Sequence, residues 1–465
     1  VSLRLYDTGT RSVRDFQPRK PGHVGVYLCG LTVQGPPHIG HLRSGVSYDV
    51  LIRWLRRTGY DVTYVRNVTD VDDKILVRGE EQSRPWWSIA YENERKLARD
   101  YAALNVQEPT YEPRATGHIT QMIDLISALV DRGHAYVTDS GDVWFSVASW
   151  SDYGELSHRR PEDMLSSPDT GDKRDSRDFG LWKAHKPGEP LDAAWTSPWG
   201  PGRPGWHIEC SAMARRYLGD AFDIHGGGTD IMFPHHENEL AQSRAAGLGF
   251  AKYWVHNGML NLAGTKMSKS LGNTLSVSAL GEKGFRAADI RYFLTTAQYR
   301  SPLDFSESAL SEAQSAWDRL SNFVHRTAEA LGVEATIGGS LPPEFTAAMD
   351  DDLNTPAAVA VIHDAAREGN AALDAGDDQL AARTGAGVRA MLDQLGLDPL
   401  DPHWDEPGDA KLTGAVDALV KIALEQRAEA RARKDYAAAD RIRDELAHAG
   451  ITVKDTPRGP VWTVD

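Results

Sequence analysis

The chain has 465 residues, 41% of them hydrophobic and 25% charged, with a formal net charge of −15. That length suits about three or four domains, and the lack of any apolar run of about 18 residues excludes a helical membrane span. The acidity argues against a general nucleic-acid coat protein, while leaving room for a local basic patch.

The opening residues, Val1-Ser-Leu-Arg-Leu-Tyr-Asp7, hold no apolar signal core, so a cytoplasmic location is expected. Val24-Gly-Val-Tyr-Leu28 reads as a short buried strand with Cys29 at its end. A Gly/Pro-rich turn and His38-Ile-Gly-His41 follow. Then comes a helix, with Val46, Val50, Leu51 and Trp54 on one stripe and Gly59 at its end. Strand, turn and helix in that order face a helix N-terminus toward a phosphate. His38 and His41 share one face of the first turn, and Gly40 between them allows close approach of a ligand. A βα unit with two surface histidines fits the stretch equally well. Asp61 to Val68 is β-branched and aromatic and reads as a strand. Thr69-Asp-Val-Asp-Asp-Lys74 lies past its carboxyl end, a ligand position in open α/β sheets and also a good helix N-cap.

Residues 118–200 read as an insertion. Ile119, Met122, Ile123, Ile126, Leu129 and Val130 form an amphipathic helix closed by Gly133, and Val143 to Val147 is strand-like. From Ser151 to Pro204 the composition predicts irregular loops. Order returns with Gly205 to Met213, an apolar segment carrying Cys210. Phe222 to His225 then reads as a strand running into the glycine loop Gly226-Gly-Gly-Thr-Asp230. Pro234-His-His-Glu-Asn-Glu239 opens a helix. Tyr253 to His256 is a further strand, before the loop Lys266-Met-Ser-Lys-Ser270. Segments 309–331, 344–374 and 378–395 suggest a helical bundle. After a break at Pro399 to Pro407, one or two helices over 410–449 and a hairpin over 451–464 complete the chain.

Cys29 and Cys210 are the only cysteines. In a cytoplasmic protein a metal or catalytic role is favoured over a disulfide, and two buried free thiols are the other outcome. His235 and Glu239, at i and i+4, project together from one helix face. With the two thiols they make a donor set suited to zinc; the alternative is a polar helix face without metal. His38 and His41 could donate to a phosphate chain in its transition state, and Lys266 and Lys269 could bring mobile positive charge to it. Alone, the lysine pair is an ordinary basic loop. The glycines before Asp230 could let an adenosine lie on the backbone while Asp230 bonds a ribose hydroxyl.

Taken together, His38-Ile-Gly-His41 and Lys266-Met-Ser-Lys-Ser270 resemble the paired signatures of class I aminoacyl-tRNA synthetases. The resemblance is closest to the cysteinyl-tRNA synthetase family, of a bacterial type. It rests on Cys29-Gly-x-Thr32, Asn67-Val-Thr-Asp-Val-Asp-Asp-Lys74, Gly205-Trp-His-Ile-Glu-Cys210, Phe222-Asp-Ile-His-Gly-Gly-Gly228 and Phe233-Pro-His-His-Glu-Asn-Glu239. It implies an α/β fold with a Rossmann-like parallel-sheet catalytic domain in two halves, 1–117 and 205–262. Between them lies an inserted connective, acceptor-end subdomain at 118–204. A signature-loop and linking region at 263–308, a helical bundle at 309–400 and a small α+β anticodon-binding domain at 401–465 follow.

By the same resemblance Cys29, Cys210, His235 and Glu239 hold one Zn2+ per chain, and Cys29, Gly30, Thr69, Trp206 and His225 line the cysteine pocket. His38, His41, Lys266 and Lys269 act on the phosphates. ATP, taken as substrate with Mg2+, lies along His38, Gly40, His41, Gly227, Gly228, Asp230 and Lys269. Arg431, Tyr436, Asp440 and Asp455 fall where the family meets the anticodon. The implied reaction joins L-cysteine to ATP as cysteinyl-adenylate and then charges the 3'-terminal adenosine of tRNA(Cys). Zinc selects the thiol, and the protein is a cytoplasmic monomer with no membrane partner. One departure from the family's pattern stands at residues 31–37, where Leu31 and Gln34-Gly35 replace the usual turn residues.

Two rivals compete with this reading. A related ligase joins cysteine to an amino sugar but lacks a tail like 410–465, where Arg427, Arg431, Arg433, Lys434, Arg441, Arg443 and Trp462 suit RNA loops. A non-enzymatic RNA- or zinc-binding module is the other, and it would have no use for the phosphate-closing loop at 266–270.

Overall fold

Four parallel strands form the centre of the molecule, in the spatial order Ala251–Asn257, Phe222–Gly228, His23–Leu28, Asp61–Arg66. The computed structural model describes residues 2–160, 172–262, 265–266, 275–331, 341–404, 409–456 and 459–464. Val24, Val26, Tyr27 and Leu28 are buried, as a central parallel strand covered on both faces requires. The second strand lies on one side of the first; the third and fourth lie on the other. The order therefore reverses between His23–Leu28 and Phe222–Gly228, and open α/β sheets bind ligands in the crevice outside such a switch point. The amide of Cys29 donates to the carbonyl of Gly226 there, at 2.9 Å.

The helix after the first strand runs from Ile39 to Arg57 and buries Leu42, Val46, Val50, Leu51 and Trp54. Asp72 caps the helix Asp73–Glu81, accepting from the Lys74 amide at 2.8 Å. Residues 31–33 stay extended after the first strand. Thr32 bridges Thr69 in parallel fashion, and the Val33 amide donates to Thr69 at 3.2 Å.

Two sequence expectations are corrected. The stretch 151–204 is not loop throughout, because Phe179–Ala184 and Gly202–Pro204 complete an antiparallel sheet with Ala135–Val137 and Val143–Phe145. Leu181 and Trp182 are fully buried in it, a short apolar run that the surrounding polar composition hid. Residues 161–171 of that stretch lie outside the described residues. The apolar segment that carries Cys210 is the helix Trp206–Leu218. Gly226 to Gly228 form the end of the strand rather than a loop. In addition, the α-helix Glu237–Ala245 begins after a π-helical turn, Met232–His236, so Pro234 precedes it.

Helices Glu307–Leu331, Pro343–Asp350, Thr355–Ala375 and Asp378–Gln394 pack together beyond the sheet. The fully buried Arg291, on Ala287–Thr295, joins this layer to the helix Ile39–Arg57. It pairs with Asp49 and donates to the carbonyls of Leu395 at 2.7 Å and Leu104 at 2.6 Å. Burial would raise the Asp49 pKa, but Arg291 and Arg53 hold it below the usual carboxylate range. Removing one partner of such a pair leaves a buried charge, so Arg291→Leu is expected to cost about 3–5 kcal/mol of stability. Urea unfolding checks this; a loss below about 1 kcal/mol would mean water or Arg53 compensates.

The chain divides into two compact units, Val1–Pro399 and Leu400–Asp465. In the second, helices Asp409–Ala432 and Tyr436–His448 pack together, and Ile451–Thr456 pairs antiparallel with Gly459–Val464. Among the described residues no helix is long and apolar enough to cross a membrane.

Candidate active site

The crevice at the switch point gathers residues from four elements. Cys29 follows the first strand, Cys210 projects from Trp206–Leu218, and His235 and Glu239 stand one turn apart. Cys29 Sγ lies 3.3 Å from Glu239 Oε1 and 3.6 Å from His235 Nε2 and from His225 Nε2. His235 Nε2 is 3.0 Å from Glu239 Oε1. One donor atom from each of Cys29, Cys210, His235 and Glu239 falls within 4.8 Å of the others, and the same holds for Cys29, His225, His236 and Glu239. Both cysteines are free thiols.

The charges fit a cation site. Burial opposes every charge here, yet His225 and His235 bring the Glu239 carboxyl down to about 2. Glu239 and Cys210 in turn raise His235 to about 10. A hydrogen bond with Cys29 lowers Cys210 to about 6, while burial pushes Cys29 up. A carboxylate and a readily ionised thiol thus converge on one positive charge, the donor pattern a soft divalent metal satisfies better than a proton. His207 Nδ1 lies 3.0 Å from His235 Nδ1, so one ring must donate and the other accept. Burial pushes His207 well below the ordinary histidine range, which makes it the neutral acceptor and leaves His235 Nε2 facing the cluster.

The residues expected to line a cysteine pocket surround this cluster. Trp206 stacks on His235, with ring centroids 4.4 Å apart. His225 is fully buried and stacks on Tyr27 at 5.2 Å. A Cβ on Gly30 would stand 1.6 Å from the carbonyl oxygen of Asn67, so no other residue fits there without moving that backbone. The Gly30 amide donates to Asn67 Oδ1 at 2.8 Å, Asn67 Nδ2 donates to Thr69 Oγ1 at 3.3 Å, and Thr69 donates to Glu209 Oε2 at 2.9 Å. Burial, with the neighbouring Cys210, pushes the Glu209 carboxyl up.

The phosphate candidates lie on the next element. His38 is the N-cap of Ile39–Arg57, its ring stacks on His41 at 3.5 Å, and its amide donates to His41 Nδ1 at 3.3 Å. Gly40 sits between them. The Ile39 amide donates to the carbonyl of Leu275 at 2.9 Å, which returns the chain beyond the 266–270 segment to this helix start. Lys266 ends the short strand Thr265–Lys266; its side chain and all of Lys269 lie outside the described residues. Gly227 and Gly228 are at the end of their strand beside the exposed Asp230. A Cβ on Gly227 would meet the tip of the Ile231 side chain at 2.6 Å and one on Gly228 would meet the Asp230 carboxylate at 2.5 Å, so either substitution would displace a neighbouring side chain.

A family model for the class I (C) tRNA synthetase catalytic domain matches residues 15–315. Models for the DALR domain and for the cysteinyl-tRNA ligase anticodon-binding domain match 344–399 and 409–462. The chain belongs to the cysteinyl-tRNA synthetase family. Over 468 aligned residues it is 54% identical to a cysteine–tRNA ligase of Streptomyces griseus, covering 100% of this chain and 99% of that protein. Over 474 residues it is 55% identical to one from Nocardioides sp., covering all of both. Among solved structures it resembles a Mycobacterium tuberculosis methionyl-tRNA synthetase in complex with methionyl-adenylate, with a TM-score of 0.59 and 17% identity over 82% of this chain and 91% of that one. That likeness speaks for the class I fold.

Within this synthetase the second unit carries the anticodon candidates. Tyr436 is 62% exposed at a helix start, Arg431 is exposed at the end of the preceding helix, and Asp440 lies 3.5 Å from Arg443. Asp455 is on the hairpin strand, its side chain outside the described residues. Sequence reasoning passed over His207, Asn67 and Glu209 as site residues, although all three stand inside motifs it used. For His207 the signal was helical spacing: it lies three residues before Cys210, one turn away on the same helix.

Proposed function

We infer that this chain activates L-cysteine with ATP, forming cysteinyl-adenylate and pyrophosphate, and transfers the cysteinyl group to the 3'-terminal adenosine of tRNA(Cys). The full-length likeness to cysteine–tRNA ligases carries this reading. The thiol, imidazole and carboxylate cluster at the sheet's switch point supports its amino-acid half. The anticodon-binding domain at 409–462 supports tRNA over an amino sugar as acceptor.

The assignment of roles is ours. Cys29, Cys210, His235 and Glu239 would hold one Zn2+, which when bound offers a soft partner to a substrate thiolate and a poor one to serine's hydroxyl. Gly30, Thr69, Trp206 and His225 would enclose the rest of the amino acid. His38 and His41, with Lys266 and Lys269, would stabilise charge on the phosphates of ATP, which would enter with Mg2+ along Gly227, Gly228 and Asp230. No protein nucleophile is needed, because the cysteine carboxylate attacks the α-phosphate and a ribose hydroxyl takes the acyl group. The insert at 118–204 would guide the acceptor end, while Arg431, Tyr436, Asp440 and Asp455 would meet the anticodon. We take the working form to be a cytoplasmic monomer.

Cysteine-dependent exchange of pyrophosphate into ATP tests the first step and needs only the metal-loaded protein. Exchange together with charging of tRNA(Cys) is expected. Exchange with acylation of an amino sugar instead would favour the rival ligase, and no exchange at all would reduce the chain to a binding module.

A further inference from the structure

Glu209 is only 1% exposed, in the first turn of Trp206–Leu218. The described residues give it a hydroxyl, Thr69 Oγ1 at 2.9 Å, but no lysine or arginine. Burial pushes its carboxyl toward the neutral form, against the Thr69 hydrogen bond and the charge of His235, so a cationic ligand group beside it would favour the carboxylate. The surrounding hydrogen bonds say which kind of ligand group that is. The Gly30 amide can only donate, so Asn67 turns Oδ1 toward it at 2.8 Å and must point Nδ2 at Thr69 Oγ1, 3.3 Å away. The Thr69 hydroxyl spends its proton on Glu209 and one lone pair on Asn67. One lone pair remains, so Thr69 accepts from a ligand and cannot donate to it. A substrate ammonium satisfies that geometry, and a substrate carboxylate does not.

We propose that Glu209 is a positioning residue for the α-ammonium of the amino-acid substrate: it fixes Thr69 as an acceptor and places a negative charge behind it. The inference rests on the reading that Thr69 lines the cysteine pocket. It predicts recognition of the amino group separately from recognition of the thiol.

The test compares three thiols by calorimetry on the metal-loaded protein: cysteine, cysteamine (no carboxylate) and 3-mercaptopropionate (no amine). Wild type is expected to bind cysteamine at least about tenfold more tightly than 3-mercaptopropionate. Glu209→Gln keeps an acceptor for Thr69 but removes the charge. It is expected to weaken cysteine about 10–100-fold, to leave 3-mercaptopropionate within about twofold, and to raise the cysteine KM in pyrophosphate exchange more than it lowers kcat. Equal weakening of all three thiols, or no weakening, overturns the proposal. So does a wild-type preference for 3-mercaptopropionate over cysteamine, a comparison that needs no variant to fold. Failure of wild type to bind cysteine at all would instead strike the pocket assignment itself.

Discussion

Cys210→Ser is expected to lower bound zinc from one per chain to below about a tenth, and to abolish most of the preference for cysteine over serine. Two donor sets overlap in the crevice. Cys29 and Glu239 belong to both; Cys210 and His235 complete one, His225 and His236 the other. Two thiolates favour zinc over one, and His235 approaches Glu239 to 3.0 Å against 4.0 Å for His236. His236 is also committed through Nδ1 to His256 at 2.8 Å. Metal analysis of Cys210→Ser beside His236→Asn separates the sets: the first variant should lose the metal and the second keep it. The reverse result would move the site to the histidine side. Changing an outer partner of a metal ligand already costs about 10–100-fold in affinity, so removing a ligand should cost at least that. Without the soft partner, a pocket made of shape alone separates near-isosteres by only about 10–200-fold. The cysteine-to-serine ratio of kcat/KM in pyrophosphate exchange should fall into that range.

The histidine–carboxylate half of the cluster was legible in the sequence because helical spacing is local. His235 and Glu239 share a face whatever the tertiary fold, and the π-helical turn between them does not disturb the i to i+4 relation. What brings Cys29 and Cys210 to that face is not local: it is the reversal of strand order, which no window of residues encodes. The glycine stretch misled for a related reason. Gly226 to Gly228 look like a loop by composition, but their backbone pairs along Val255 to Asn257. The missing side chains make room for Tyr48, Ile231 and Asp230. Glu209 escaped notice because its hydrogen-bond partner, Thr69, lies far away in the chain, and such a contact leaves no spacing to count. The short strand Phe179–Ala184 was lost in a polar window longer than itself.

His41→Ala is expected to lower kcat for pyrophosphate exchange by about 10²–10³-fold, with the cysteine KM nearly unchanged. Its ring stands 3.5 Å from that of His38 at the start of Ile39–Arg57, where helix amides already favour an anion. The negative charge redistributed on the phosphates during adenylate formation is what such donors meet, so their contribution grows as the transition state is approached. The cysteine pocket we propose is built from other residues, so cysteine binding should be indifferent. The His41 ring accepts from the His38 amide at 3.3 Å and stacks on the His38 ring at 3.5 Å, so each imidazole limits the movement of the other. Losing either should therefore misplace both, and the double variant His38→Ala/His41→Ala should fall well short of the product of the two single effects. Fully multiplicative losses would mean that the histidines act on separate groups. A raised KM for ATP with kcat intact would make them ground-state binders of the nucleotide rather than stabilisers of its reaction.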